Sequence, residues 1–148
     1  MCIRDRFYPT LSAQELRCEV TAQSGVIVSA DPDKLARVFD NLLRNAAAYS
    51  TSGTTIRVGM KRLADGKAVV VFENKGPVIP PHKLTTIFEK FYRLDSARST
   101  RTGGAGLGLA IAKEIVELHG GEIRVTSDEK ATRFFVILPA KQGEEDSN

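Results

Sequence analysis

Asn41 and Asn45 are the residues whose type and spacing most directly suggest chemistry. They lie four residues apart, so on a helix they share one face. By helical angle that face borders an apolar stripe, beside Val38 and Tyr49. A neutral amide oxygen is a suitable ligand for Mg²⁺, which keeps several waters and takes phosphate oxygens for the rest. The alternative is a pair of solvated amides at a helix margin.

A glycine-rich segment, GGAGLGL from Gly103 to Leu109, opens a second helical pattern. Glycines let backbone N–H groups approach a phosphate, and the N-terminus of a helix favours negative charge. The segment is not a P-loop, because Leu109 stands where the lysine is required. Leu109 also replaces the third glycine of the Rossmann and protein-kinase loops. A flexible loop without a ligand stays open as the alternative.

Hydrophobic periodicity predicts the elements that must position these residues. The predicted helices are Asp31 to Tyr49, Lys83–Lys90 and Leu107–His119, the last of which ends at Gly120-Gly121. The predicted strands are Leu16–Val20, Val26–Ser29, Thr54–Lys61, Ala68–Glu73, Glu122–Thr126 and Arg133–Leu138, and Phe91 to Ala105 is predicted to be a mobile loop. Helices come between hairpins and do not follow every strand. This order predicts an α+β fold, a two-layer sandwich with a mixed, mostly antiparallel sheet and helices on one face.

Composition limits the classes of protein. The chain has 148 residues, of which 42% are hydrophobic and 26% charged, which suits one globular domain. A net charge of +3 gives no reason to expect nucleic acid as a partner. No apolar run approaches the roughly 20 residues of a transmembrane helix. Cys2 and Cys18 form neither a metal motif nor a disulfide framework.

Five motifs together resemble the ATP-binding catalytic domain of bacterial sensor histidine kinases, which have the Bergerat fold. In chain order they are the N box DNLLRNA from Asp40, ENKG from Glu73 at the G1 position, the F box FEKFYR from Phe88, the G2 box GAGLGL from Gly104, and ATRF from Ala131 at the G3 position. Within this family the chain most resembles VanS-type kinases of vancomycin resistance.

The resemblance implies roles for individual residues. Asn45 would bind Mg²⁺, and Asn41 would lie near the phosphates of ATP. The nucleotide site would further include Tyr49, Asn74, Gly76, Lys90, Tyr92, Arg93, Gly104, Gly106, Leu107, Gly108, Leu109 and Thr132. Arg98 and Arg101 are further candidates for neutralising phosphate charge, although solvation of the loop is the simpler interpretation of both.

Four positions depart from the family pattern. Asn74 replaces the aspartate that accepts the adenine amino group, so its hydrogen bond would lack the strength that a charge gives. Val78 replaces the second glycine of the G1 box, Ala48 replaces a common lysine, and Ala131 replaces the G3 glycine. These departures bear on affinity and on the adenine contacts more than on ATP binding itself.

The resemblance also implies a reaction, transfer of the ATP γ-phosphoryl group to a histidine for relay to a response regulator. His82 and His119 lack the expected acceptor context, so the acceptor would lie on a separate dimerisation domain. The chain would then be a cytoplasmic domain of a longer, membrane-anchored parent. Two alternatives stay open: an anti-sigma serine kinase of the same fold, and a nucleotide-binding module without catalysis.

The expected domain covers residues 14–140. Residues 1–13 form an N-terminal segment that is either a linker or an artefact, since its opening MCIRDR resembles translated sequencing adapter. Residues 141–148 are polar and acidic, which is typical of a disordered tail.

Overall fold

The computed structural model describes residues 16–22, 30–89 and 108–139. Within them the chain forms five strands, two α-helices and two short 3-10 helices. In chain order these are β1 (Arg17–Ala22), α1 (Pro32–Tyr49), β2 (Thr55–Arg62), β3 (Ala68–Asn74), the 3-10 helices Pro81–Lys83 and Thr86–Phe88, α2 (Gly108–Leu118), β4 (Glu122–Ser127) and β5 (Thr132–Leu138). The predicted strand Val26–Ser29, the loop after Phe91, residues 1–13 and the tail 141–148 lie outside the described residues.

The five strands form one mixed sheet in the order β1-β2-β3-β5-β4. The β1–β2 pair is parallel, and the other three pairs are antiparallel. Strand residues alternate between two faces, and one face is buried under the helices. Its largest buried side chains include Ile56, Val58, Phe72, Phe134 and Val136. The predicted two-layer α+β sandwich is confirmed.

Helix α1 begins where the sequence predicts, because Asp31 caps it. The Asp31 carboxylate accepts hydrogen bonds from the backbone N–H groups of Asp33 at 3.0 Å and Lys34 at 3.3 Å. Its apolar stripe is buried against the sheet and α2, and the Phe39 ring lies 5.7 Å from that of Phe72. The stripe therefore holds the polar margin of α1 in one orientation.

Helix α2 ends in a Schellman motif at the predicted glycine pair. The Gly121 N–H donates to the Val116 carbonyl and the Gly120 N–H to the Glu117 carbonyl, both at 3.0 Å. Gly120 has a φ of +77°, a left-handed conformation that favours glycine. This close turn sends the chain directly into β4.

The prediction of a helix over Lys83–Lys90 is wrong within the described residues. Two single-turn 3-10 helices occur there instead, Pro81–Lys83 and Thr86–Phe88. The backbone bonds here span three residues, from the Leu84 N–H to the Pro81 carbonyl at 3.2 Å and from the Glu89 N–H to the Thr86 carbonyl at 2.9 Å. The segment is therefore two separate 3-10 turns, and the Thr86 hydroxyl, which donates to the Lys83 carbonyl at 3.1 Å, joins them.

Candidate nucleotide-binding site

The start of α2 lies against the asparagine face of α1. A Cβ atom built on Gly108 would be 3.9 Å from both the Cβ and the Cγ atoms of Asn41. Gly108 is the last glycine of the G2 segment, so the two motifs that stand far apart in the sequence meet in the fold. Leu109, next on α2, packs against the core and fixes this end of the helix.

The amides of Asn41 and Asn45 are both half-buried. Val38 and Leu42 on the neighbouring stripe are fully buried, which anchors the backbone beneath the two asparagines. Neither amide makes a side-chain hydrogen bond to another described residue. Both are therefore available to bind a ligand or water.

Asn74 ends β3 as one of the few buried polar residues in the described part of the chain. It is only 3% exposed, and its register partner on β5, Thr132, is 5% exposed. An amide side chain carries both a donor and an acceptor, so a bound base could form a hydrogen bond with Asn74 at this end of the sheet.

The loop after β3 is attached to the C-terminal end of α1. A Cβ atom on Gly76 would overlap the backbone carbonyl oxygen of Tyr49, so only glycine allows this approach. The Thr51 N–H donates to the Lys75 carbonyl at 2.8 Å and holds the two segments together. Tyr49, which is half-buried, thereby comes to the same end of the sheet as Asn74.

A hydroxyl pair joins this loop to the β4–β5 hairpin. The Ile79 N–H donates to Ser127 Oγ at 2.9 Å, and Ser127 Oγ lies 2.7 Å from Thr132 Oγ1. Sequence reasoning missed Ser127. Its position in the strand could have indicated it. Ser127 continues the inward-facing series of β4, in which the earlier members, Ile123 and Val125, are apolar.

Asp128 fixes the turn that follows Ser127. Its carboxylate accepts from the N–H groups of Lys130 at 2.8 Å and Ala131 at 3.0 Å. The hydrogen bonds from the Ala131 and Lys130 backbones hold the pKa of this carboxyl below its ordinary value of 3.8. This turn places Thr132 at the start of β5.

The entry to the F box is packed between α2 and β5. The Phe88 ring lies edge-on to that of Phe134, 6.0 Å between centroids, and the Lys113 ammonium lies 5.8 Å from the Phe88 centroid. The candidate residues Lys90, Tyr92, Arg93, Gly104, Gly106 and Leu107, together with Arg98 and Arg101, lie outside the described residues.

The described site residues thus form two groups along α1. Asn41, Asn45 and Gly108 form one, and Tyr49, Asn74, Gly76 and Thr132 form the other. Asn41 and Tyr49 are separated by about 12 Å along the helix axis, at 1.5 Å per residue. The two groups therefore lie about two helical turns apart along α1.

Neither helix of the described residues combines the length and apolar character that a bilayer span requires.

A family model described as histidine kinase-, DNA gyrase B-, and HSP90-like ATPase matches residues 30–142. The sensor protein VanS of Enterococcus faecium is 54% identical over 136 residues, which are 92% of this chain and 35% of VanS. The chain therefore spans about a third of the length of this relative.

Solved structures agree with this match. The catalytic domain of the histidine kinase ThkA has a TM-score of 0.80 at 26% identity, over 93% of this chain and 88% of that one. The mycobacterial sensor histidine kinase MprB has a TM-score of 0.77 at 35% identity, over 93% of both chains. ThkA has also been solved in complex with the response regulator protein TrrA, and that match, at 24% identity and a TM-score of 0.76, shows the fold alone.

Proposed function

Because the chain belongs to the family of histidine kinase-, DNA gyrase B- and HSP90-like ATPases, we propose that it is the ATP-binding catalytic domain of a sensor histidine kinase. The observation that carries this proposal is the approach of Gly108 to Asn41, which joins the glycine-rich segment to the asparagine helix. Separately, each motif has a plain structural explanation. Together they form one face with free amides and a helix N-terminus.

The adenine is proposed to bind at the end of β3. Asn74 is 3% exposed, and its amide oxygen can accept a hydrogen bond from an exocyclic amino group. The Thr132 hydroxyl, held by Ser127, lies on the paired residue. Gly76 keeps the loop close to Tyr49, which leaves the space beside Asn74 free of a side chain at that position.

The phosphates are proposed to bind where α2 begins. Backbone N–H groups at a helix N-terminus favour anions, and Gly108 adds no side chain to obstruct them. Asn45 and Asn41 offer amide oxygens on the adjoining face, a donor type that fits Mg²⁺. When bound, Mg²⁺ neutralises phosphate charge. The asparagines orient the triphosphate, and the F-box cations Lys90 and Arg93 are proposed to add charge.

The γ-phosphoryl acceptor is proposed to be a histidine on a separate dimerisation domain. His82 is exposed at the start of a 3-10 helix, and both ring nitrogens of His119 are occupied by backbone partners. The phosphoryl group would then pass to a response regulator. The parent protein is proposed to be anchored in the cell membrane, with this domain in the cytoplasm.

A titration of the chain with ATP, with and without Mg²⁺, tests the proposal. We expect Mg²⁺-dependent binding in the micromolar range and an affinity at least tenfold lower in Asn45→Ala, a change of about 1.4 kcal/mol. Arg37→Ala, an exposed residue on the same helix, is the matched control and should bind like the parent. An absence of binding at millimolar ATP would overturn the proposal.

A second experiment separates kinase from binding module. The chain is mixed with a histidine-bearing dimerisation domain of a VanS-type kinase and labelled ATP. Phosphate on histidine supports the proposal, whereas phosphate on serine of an added anti-sigma substrate supports the serine-kinase alternative. Binding without transfer to either would leave only a nucleotide-binding module.

A further inference from the structure

His119 joins the end of α2 to the beginning of α1. It follows the last residue of α2, and its Nδ1 lies 2.8 Å from the Ile115 carbonyl oxygen. Because a carbonyl only accepts, Nδ1 must carry the proton, which leaves Nε2 as an acceptor. The Asp31 backbone N–H donates to that Nε2 at 3.1 Å.

This hydrogen bond completes the N-terminal cap of α1 from another helix. In a capping box, an acidic or amide side chain three residues after the cap accepts from the cap residue's own N–H. Here that position holds Lys34, which has no acceptor. The Asp31 carboxylate accepts from the N–H groups of Asp33 and Lys34, and His119 accepts from the N–H group of Asp31, which Lys34 cannot do.

The Asp31–His119 bond and the Asn41–Gly108 contact are therefore separated by nearly the same distance on both helices. Asp31 to Asn41 spans about 15 Å along α1, and His119 to Gly108 spans about 16 Å along α2, at 1.5 Å per residue. The Asp31–His119 contact is at one end of this antiparallel pair, and the Asn41–Gly108 contact is at the other. A slip of one helix by one residue at the first contact would move the second by about 1.5 Å.

Apolar packing and a directional hydrogen bond act together on this alignment. The two helices pack against each other and contribute Val38, Leu42, Ala112 and Val116 to the buried core, but the hydrophobic effect itself is not directional. A hydrogen bond between a ring nitrogen and a backbone N–H is directional and fixes both partners along the helix axes. His119 thus adds a directional bond between the two helices to the packing of their apolar side chains.

We propose that His119 is a positioning residue that sets the register of the asparagine helix against the helix of the glycine-rich segment. The inference rests on the proposed function, since the register matters through Mg²⁺-ATP. Loss of the Nε2 acceptor shifts the Asn41 and Asn45 amides relative to Gly108 and weakens binding at the phosphate end. The adenine end keeps its geometry, because Gly76 and the hydrogen bond from Thr51 to Lys75 hold the C-terminal end of α1, with Tyr49, to the loop after β3.

The test compares Mg²⁺-ATP with adenosine, which engages only the adenine end. NMR titrations of the full 148-residue chain measure both, because they reach millimolar dissociation constants. His119→Phe keeps a ring without an acceptor, and His119→Gln returns an acceptor oxygen at similar reach. Leu118→Ala is the matched control, since Leu118 is 72% exposed and adjacent. Nitrogen NMR of the parent imidazole reports the Nδ1–H tautomer.

We expect Mg²⁺-ATP affinity to fall about tenfold in His119→Phe and to recover to within about threefold in His119→Gln. Adenosine affinity should be equal in all variants. Equal Mg²⁺-ATP affinity in His119→Phe, parallel loss of adenosine affinity, or no rescue by glutamine would each overturn the inference. If His119→Phe does not fold, His119→Ala takes its place. Failure of the parent chain itself to bind Mg²⁺-ATP would instead refute the proposed function.

Discussion

Gly76 lies against the backbone of Tyr49 so closely that a methyl group at Gly76 would overlap the Tyr49 carbonyl oxygen and lie 3.1 Å from its carbonyl carbon. Because that obstacle is backbone, it cannot rotate away. We expect Gly76→Ala to lower the free energy of unfolding by about 2 kcal/mol, as overpacking does, and to weaken ATP binding. Urea unfolding and an ATP titration measure the two effects.

Gly59 provides the control for that substitution. A Cβ atom there meets nothing within 4 Å. Gly59→Ala in β2 should therefore leave stability unchanged or raise it slightly, because alanine restricts the unfolded chain. Equal effects of the two substitutions would show that the loop can move away from Tyr49.

Asn74 is predicted to contribute more to binding than to stability. Asn74 is 3% exposed, and leucine has a similar volume, so the substitution keeps the packing and removes the amide. We expect Asn74→Leu to change the unfolding free energy by less than about 1.5 kcal/mol, while adenosine affinity falls about tenfold, the value of one hydrogen bond of about 1.4 kcal/mol. Calorimetry and NMR titration measure the two quantities.

Ser127→Ala, unlike Asn74→Leu, should lower the free energy of unfolding. It removes the acceptor of the Ile79 N–H and the partner of the Thr132 hydroxyl, so it should destabilise the fold by about 1–2 kcal/mol. A stabilised Ser127→Ala, or a strongly destabilised Asn74→Leu, would contradict the assignment of these two side chains.

The sequence predicted the elements whose signals are local. The Asp31-Pro32 start of α1, the Gly120-Gly121 end of α2 and the alternation of β2 each depend on a few neighbouring residues, and the structure has them within one or two positions. The helix expected from Lys83 was wrong, since the structure has two single-turn 3-10 helices there. Apolar spacing over eight residues does not distinguish an α-helix from successive turns.

Contacts between distant residues were not predictable in the same way. The hydrogen bonds from Ile79 to Ser127 and from Asp31 to His119 join segments that share no periodicity. Motif resemblance placed Asn41 and Gly108 in one site, but the free state of the asparagine amides required the structure. The roles of Asn45 as a metal ligand and of Asn74 at adenine stay predictions.

Glu73 should carry most of the ion-pair stabilisation on the outer face of the sheet. Its carboxylate, 19% exposed, lies 2.8 Å from Arg133 Nε and 3.6 Å from an Arg57 guanidinium nitrogen. We expect Glu73→Gln to cost about 1–2 kcal/mol, because it removes the carboxylate that pairs with Arg133 and one of the two that pair with Arg57. Urea unfolding at low and high salt measures this loss.

Glu19→Gln is the comparison on the same face. Glu19 is 63% exposed and makes one 3.3 Å contact with Arg57. The free energy of unfolding should therefore change by nearly zero in Glu19→Gln, and the change should vanish at high salt. If Glu19→Gln lowered the free energy of unfolding as much as Glu73→Gln, burial would not explain the strength of the Glu73 ion pairs.

Asp128 should make stability depend on acid pH. Its backbone hydrogen bonds lower its pKa in the folded chain, so the carboxylate stabilises the fold above the ordinary value of 3.8, and this contribution is lost as pH falls through the lower, folded value. Asp128→Asn retains an acceptor but does not titrate. Unfolding midpoints of parent and variant should differ by a constant amount above pH 5 and converge below about pH 4.

Glu129→Gln, the exposed next residue, is the control and should leave the pH profile of the parent unchanged. A parent and an Asp128→Asn variant with parallel profiles down to pH 3 would exclude a lowered Asp128 pKa as a source of acid sensitivity.

The approach of Gly108 to Asn41 has a consequence for the order of events during synthesis. The asparagine helix leaves the ribosome first, and β2 and β3 follow before α2 is made. A nascent chain that stops before α2 therefore contains the asparagines but has no helix N-terminus to bind phosphate. Nucleotide can stabilise only the nearly complete domain, so cellular ATP would select finished chains over truncated ones.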